Sequence, residues 1–112
     1  MEVLFQDRKL EKVCGERSRL TRKYGVKCAM LLRQRLDDLG DAKNLEAMRE
    51  VSQARCHELK GNRAGTLAVD LRHPYRLIFE PVGDPIPKKA DGGLDWTKVT
   101  KVRILAVEDY HD

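Results

Sequence analysis

The chain has 112 residues, which is enough for one domain with a single hydrophobic core, and we treat 1–112 as that domain. It is 41% hydrophobic and 36% charged, and this apolar content excludes a disordered chain. No apolar run approaches the roughly 20 residues of a membrane span. No basic-then-apolar secretory signal opens the chain either. We therefore expect a cytoplasmic protein that does not associate with membranes.

The three cysteines, Cys14, Cys28 and Cys56, are odd in number and show no metal-binding spacing such as C-x-x-C. This pattern favours reduced thiols over a disulfide or a zinc site. We expect neither a metal nor a cofactor.

The first part of the chain predicts one strand followed by helices. Residues 1–5, "MEVLF", have the β-branched and aromatic character of a strand. Asp7 is a suitable cap for a short helix that ends at Gly15. A third, shorter helical piece at 44–51 has Asn44 as its cap.

Between these two helical segments the sequence predicts a longer helix, which is capped by Ser18 and ends at about Gly40. Apolar residues recur at helical spacing along it and define one face that must be buried. These residues are Tyr24, Cys28, Leu31, Leu32, Leu36 and Leu39.

After residue 54 the pattern changes to short extended segments separated by turns. The predicted elements are an extended piece at 55–59, a Gly-containing loop at 60–65, strands at 66–71 and 75–82, a long loop at 83–96 and a final strand at 97–109. Consecutive strands with short connections pair antiparallel, and the helices need one face of that sheet to bury their apolar side chains. The expected fold is α+β: an N-terminal strand, then two to three helices packed on one face of a twisted, mostly antiparallel sheet of about four to five strands.

The net charge of +4 is unevenly distributed. Residues 17–35 contain no acid and seven basic residues: Arg17, Arg19, Arg22, Lys23, Lys27, Arg33 and Arg35. Such a run suits a polyanion or an acidic protein partner, and a solvated helix face would look the same.

Arg76 lies in the apolar segment "YRLIF", so we expect it to be largely buried. A buried guanidinium without a partner is unfavourable. It therefore either pairs with an internal carboxylate, Asp70 or Glu80 being the candidates, or faces a cleft that receives an anion.

Two of the three histidines are candidates for proton transfer near neutral pH, His57 in the extended piece and His111 after the final strand. His73 lies in a turn and receives no function. If the final strand continues with period two, Asp109 and His111 point to one face and Tyr110 to the other. If the chain bends, all three converge, and both arrangements stay open.

Lys60 and Arg63 lie in the loop "KGNRAG", whose glycines would allow the backbone to approach a phosphate. An ordinary hydrophilic hairpin loop has the same composition. The chain contains no P-loop, no H-E-x-x-H and no G-x-S-x-G motif.

The second half of the chain resembles the RelE/ParE superfamily of bacterial toxins, in particular the HigB (killer protein) branch. The matching pieces are "H-x-L-K-G-x-R-x-G", the strand "YRLIF" and the terminal "DYH", in this order. The resemblance implies a toxin of a type II toxin–antitoxin system. It implies ribosome-dependent, metal-independent cleavage of messenger RNA.

The resemblance also implies partners and site residues. The partners are the ribosome, messenger RNA and a HigA-type antitoxin with a helix-turn-helix domain, through which alone the toxin would reach operator DNA. The implied catalytic residues are His57, Arg76, Asp109, Tyr110 and His111. The implied phosphate or RNA ligands on the loop are Lys60 and Arg63, and the basic helix adds Arg22, Lys23, Lys27 and Arg33.

The chemistry can be argued from the residue types. Metal-free RNA cleavage requires deprotonation of a 2′-hydroxyl, neutralisation of a pentavalent phosphate and protonation of the 5′-oxygen. His57 and His111 can supply the acid and the base, and the division between them stays open. Arg76, with Lys60 or Arg63, can stabilise the phosphate charge. Tyr110 can stack on a base or orient a proton, and Asp109 can orient a histidine.

Two other functions fit the same pattern. A ParE-like toxin that inhibits DNA gyrase would share the fold and need no histidine chemistry. A weakly active, toxin-derived module would act through antitoxin binding and autoregulation.

Overall fold

A computed structural model describes residues 1–110 of the chain; His111 and Asp112 lie outside the described residues. The helices and strands, in chain order, are β1 (Glu2–Phe5), α1 (Arg8–Gly15), α2 (Arg17–Tyr24), α3 (Val26–Asp41), β2 (His57–Glu58), β3 (Leu67–Asp70), β4 (Tyr75–Pro81) and β5 (Lys101–Asp109). Short 3-10 turns connect them at Leu45–Glu50, Ser52–Ala54, Gly61–Arg63 and Trp96–Lys98. Within the described range, no helix combines the length and the apolar character needed to cross a membrane.

The five strands form one sheet in the order β1-β5-β4-β3-β2. The strand β1 pairs parallel with β5, and the other three pairings are antiparallel. This arrangement follows from the connections: no α-helix lies between consecutive strands after residue 56, whereas three helices separate β1 from the rest of the sheet. The expected α+β fold, with three helices and a mostly antiparallel sheet, is confirmed.

The core lies between the helices and one face of the sheet. Leu77 and Phe79 on β4, with Val69 on β3, are fully buried in one cluster with Leu32 of α3. Residues on either side of them in sequence belong to the opposite face, because side chains alternate along a strand. The helices therefore cover one face and leave the other to the polar side chains of the strands.

The long helix predicted from residue 18 is wrong in one respect: it is two helices. Gly25 separates α2 from α3 with φ of +86°, a conformation that side-chain-bearing residues rarely adopt. Ser18 lies inside α2, where Glu16 occupies the cap position, and α3 continues through Gly40 to Asp41. The predicted apolar face is correct, because Cys28, Leu32 and Leu39 are buried and Tyr24, Leu31 and Leu36 pack against the core.

Two further boundaries differ from the predictions. The segment after Asn44 is a 3-10 turn, although Asn44 caps it as expected by accepting a hydrogen bond of 3.0 Å from the backbone N–H of Ala47. The final strand starts at Lys101 and not at 97. The cause is Asp95, whose carboxylate accepts a hydrogen bond of 3.1 Å from the N–H of Thr97 and caps a 3-10 turn there.

Candidate functional site

The face of the sheet turned away from the helices carries most of the candidate catalytic residues. We call it the polar face. The strand register places on it His57, Ala68, Asp70, Arg76, Ile78, Glu108 and, by alternation along β5, Tyr110. Ala68 and Ile78 are buried but do not belong to the helix-side core, so they form its apolar floor.

His57 lies on the two-residue edge strand β2, opposite Ala68 of β3. Its Nδ1 lies 2.7 Å from the backbone carbonyl oxygen of Arg55. Because a carbonyl oxygen only accepts hydrogen bonds, Nδ1 carries the proton in this arrangement. In the neutral ring, a proton on Nδ1 leaves Nε2 as the nitrogen that can accept a proton. No described residue makes a hydrogen bond to Nε2.

Arg55 has a left-handed backbone conformation, with φ of 48° and ψ of 52°. This conformation costs a non-glycine residue about 1–2 kcal/mol. Its guanidinium donates two hydrogen bonds to the Asp70 carboxylate, at 2.8 and 3.2 Å, and a third to the hydroxyl of Tyr110 at 3.5 Å. The carboxylate hydrogen bond raises the pKa of Arg55. The side chain thereby ties the edge strand to β3 and to the end of β5.

Arg76 lies at the centre of the polar face with only 13% of its side chain exposed. Its guanidinium stacks over the ring of Tyr110, 3.8 Å from the ring centre, a favourable cation–π geometry. Its Nη2 lies 4.0 Å from Oε1 of Glu108. Its Nε is buried and has no hydrogen-bond partner among the described residues. Arg76 is thus oriented by an aromatic ring and retains unused hydrogen-bonding capacity.

The Glu108 carboxylate bridges Arg63 and Arg76. Arg63 reaches it from the loop between β2 and β3 with both terminal nitrogens, Nη2 at 2.6 Å from Oε1 and Nη1 on Oε2. Two guanidiniums that converge on one carboxylate have the geometry that also binds a phosphate. In the structure the group between these two guanidiniums is the protein's own Glu108 carboxylate.

The ion pairs predicted for Arg76 are wrong in their partners. Asp70 is turned towards Arg55, and Glu80 pairs with Arg103 of β5 at 2.7 Å. The carboxylate next to Arg76 is that of Glu108, its register partner on β5.

One of three comparisons with known proteins, the comparison with solved structures, found a match. No protein-family model matches the sequence, and no curated protein matches it. The structure superposes on a YoeB/ParE toxin from Agrobacterium tumefaciens with a TM-score of 0.55 over 99% of this chain and 100% of that chain, at 7% sequence identity. The chain has the fold of that toxin. At this identity the likeness concerns the fold alone.

The end of β5 divides the remaining candidates between the two faces. The register pairs Asp109 with Tyr75, whose ring packs on Tyr24 of α2, so Asp109 lies on the helix side of the sheet. Tyr110 lies on the polar face with Arg76. Side chains therefore alternate between the two faces at Asp109 and Tyr110, as expected if the strand continues. The structure does not bring Asp109 together with His57. His111 lies outside the described residues.

The basic residues assigned to phosphate or RNA binding are only partly brought together. Arg63 reaches the polar face, whereas Lys60 is exposed at the start of the adjacent 3-10 turn. The four helix residues belong to the layer on the opposite side of the sheet and are exposed: Arg22, Lys23, Lys27 and Arg33. They do not line the polar face.

Two residues of the site, Arg55 and Glu108, were not predicted. Alternation along β5 carried a usable signal for Glu108, because it lies two positions before Tyr110 and hence on the same face. Arg55 also lies two positions before His57, but its role depends on a left-handed backbone conformation that nothing in the sequence indicates.

The three cysteines are free thiols, as predicted. Burial raises the pKa of Cys14 to about 11 and that of Cys56 to about 12. It also raises the pKa of Cys28. Residues 1–110 contain no group of three or more His, Cys, Asp or Glu side chains placed to hold a metal ion.

Proposed function

We propose that the chain is the toxin of a type II toxin–antitoxin system and an endoribonuclease that cleaves messenger RNA on the ribosome without a metal ion. The observation that carries the proposal is the polar face. It places His57, whose Nε2 makes no hydrogen bond to a described residue, on the same side of the sheet as Arg76. Arg76 is stacked on a tyrosine, and its Nε has no hydrogen-bond partner among the described residues. The toxin fold supports the class of protein, and the sequence resemblance supports the activity.

In the proposed reaction, His57 acts as the general base. Its Nε2 takes the proton of the 2′-hydroxyl, the 2′-oxygen forms a bond to phosphorus, and the bond from phosphorus to the 5′-oxygen breaks. The leaving oxygen receives a proton from His111, the second histidine that the sequence assigns to this chemistry. The products are a 2′,3′-cyclic phosphate and a 5′-hydroxyl. Each such proton transfer typically contributes about 10²–10⁴-fold to the rate.

Arg76 and Arg63 stabilise the charge that develops on the phosphate. A guanidinium that is mostly shielded from water acts more strongly on this charge than an exposed one, which favours Arg76 for the role. Tyr110 keeps the plane of Arg76 fixed by stacking. Asp109 and Lys60 remain proposals from the sequence for orienting a histidine and for contacting RNA.

The proposed partners are the ribosome, messenger RNA and an antitoxin of the HigA type with a helix-turn-helix domain, in a cytoplasmic setting. The basic residues of α2 and α3 would contact ribosomal RNA from the other side of the molecule, and those contacts would weaken with salt. Within the superfamily we assign the chain to the HigB branch, on the terminal "DYH" and the "H-x-L-K-G" stretch.

The experiment expresses the wild type and the His57→Ala and His111→Ala variants without antitoxin and follows growth and messenger RNA. His73→Ala is the matched control, because His73 lies in a turn outside the site. We expect growth arrest with ribosome-dependent cleavage in the wild type and the control, and loss of both in the other two variants. Arrest that survives both changes, together with altered DNA supercoiling, would contradict the ribonuclease and favour a gyrase inhibitor.

A further inference from the structure

We propose that Arg55, held by Asp70, is a positioning residue that fixes His57 in the Nδ1–H tautomer and so makes Nε2 its proton acceptor. This inference rests on the proposed function only for its catalytic consequence. The geometry that supports it concerns the resting protein, and it can be tested without any substrate.

The first step is the backbone of Arg55. The residue terminates the 3-10 turn Ser52–Ala54, and its N–H donates to the carbonyl oxygen of Ser52 at 3.2 Å. It has a left-handed conformation two residues before β2 begins. The carbonyl oxygen of Arg55 lies 2.7 Å from Nδ1 of His57 and accepts the hydrogen bond from it.

The second step is the side chain that holds this backbone in place. The guanidinium of Arg55 forms a bidentate pair with Asp70, a charge-assisted geometry with directional preference. Asp70 is itself fixed: it lies on β3, and its carbonyl oxygen accepts a hydrogen bond of 3.2 Å from Nε of the buried Arg35 of α3. The position of the Arg55 carbonyl therefore depends on the sheet and on the helical layer, through Asp70.

The third step links His57 to the phosphate-binding arginine. Arg55 also contacts the hydroxyl of Tyr110, and Tyr110 stacks on Arg76. Arg55 thus sets the tautomer of the base through its backbone carbonyl, and its side chain contacts the hydroxyl of the tyrosine that stacks on Arg76. A solvated imidazole favours the Nε2–H tautomer, in which the nitrogen facing substrate carries a proton and cannot accept another. Which nitrogen is protonated is set by the hydrogen bond that the other ring nitrogen makes.

The test is ¹⁵N NMR of the histidine rings in the full chain, above the pH at which they are protonated, for the wild type, Arg55→Ala and Asp70→Asn. We expect the wild-type ring of His57 to show the Nδ1–H pattern and both variants to shift towards the Nε2–H pattern. Backbone amide spectra show whether each variant keeps the fold. If Asp70→Asn does not fold, Arg55→Ala alone decides the result.

Glu80→Gln is the matched control. It removes one negative charge, as Asp70→Asn does, and breaks the pair between Glu80 and Arg103 on the same face. Glu80 does not contact Arg55 or His57. We expect its His57 ring to keep the wild-type tautomer. A wild-type ring in the Nε2–H form, or an unchanged tautomer in folded Arg55→Ala or Asp70→Asn protein, would overturn the proposal.

A kinetic readout separates this inference from the proposed function. If the chain cleaves RNA, Arg55→Ala should lower kcat by less than the roughly 10²–10⁴-fold expected for removing the base itself. It should also leave KM nearly unchanged. If the chain cleaves no RNA, the proposed function fails while the NMR result still decides the role of Arg55.

Discussion

Replacement of Glu108 by glutamine tests whether the two arginines on the polar face form an anion-binding site. Glu108 now occupies that site, so a phosphate must displace it or bind beside a negative charge. Glutamine keeps the size of the side chain and removes the charge. We expect Glu108→Gln to bind RNA more tightly and to be less stable than the wild type.

The magnitude follows from the geometry. Two unit charges at the 4.0 Å that separates Arg76 from Glu108 attract by about 1 kcal/mol in water and about 4 kcal/mol at the effective dielectric of a protein surface. Arg63 adds little, because its side chain is 42% exposed and such pairs contribute about 0–1 kcal/mol. After desolvation, we expect a net gain of about 1–2 kcal/mol in RNA binding, or roughly 5- to 30-fold. The unpaired Arg76 should lower the free energy of unfolding by about 1–3 kcal/mol.

The assay is fluorescence anisotropy with a short labelled RNA, without ribosomes and at one fixed salt concentration, paired with urea denaturation. Glu80→Gln is the matched control, since it gives the same net charge from the same face of the sheet. Equal gains in affinity for Glu108→Gln and Glu80→Gln would show a general charge effect. That result would refute the assignment of an anion site between Arg63 and Arg76.

Other predictions concern the fold. Gly25→Ala should lower the free energy of unfolding by roughly 1–3 kcal/mol, because its φ of +86° strains any side chain even though nothing lies within 4 Å of the added carbon. Gly40→Ala, in the last turn of α3 and equally free of neighbours, should raise it by up to about 0.5–1 kcal/mol. Denaturation curves in which both variants shift stability in the same direction would contradict this reasoning. Phe79→Ala should cost about 3–5 kcal/mol in the same assay, and a loss below 1 kcal/mol would argue against its place in the core. Burial raises the pKa of Cys56 from 9.0 to about 12, so as the pH rises the unfolded chain loses the thiol proton before the folded protein does. The contribution of Cys56 to stability is therefore complete below pH 9 and is lost as the pH rises towards 12. The fall in unfolding free energy over that range should be shallower in Cys56→Ala, and parallel curves would contradict it.

The fold was largely predictable because its determinants are local and periodic. The apolar residues at helical spacing, such as Leu32 and Leu39, and the alternation around Phe79 identify the buried faces directly. The strands after residue 56 are consecutive and have no α-helix between them, which favours antiparallel pairing. The break at Gly25 was missed because an apolar face can continue across two consecutive helices, so the periodicity alone does not reveal a change of axis.

The candidate site was less predictable because it depends on side-chain partners across strands. The sequence identified His57, Arg76 and Tyr110, and the structure places them on one face. Which carboxylate approaches Arg76 depends on the strand register, and several acids in the sequence were equally plausible partners. The hydrogen bond from His57 depends on the left-handed backbone conformation of Arg55. No pattern of residues in the sequence indicates that conformation.

The most direct test of the proposed ribonuclease activity examines the ends of the RNA fragments that the purified protein and ribosomes produce from a defined messenger RNA. The proposed reaction predicts fragments with 2′,3′-cyclic phosphate and 5′-hydroxyl ends, formed by the wild type and by His73→Ala and not by His57→Ala. Fragments with 3′-hydroxyl and 5′-phosphate ends would contradict it. So would cleavage that is as fast in His57→Ala as in the wild type.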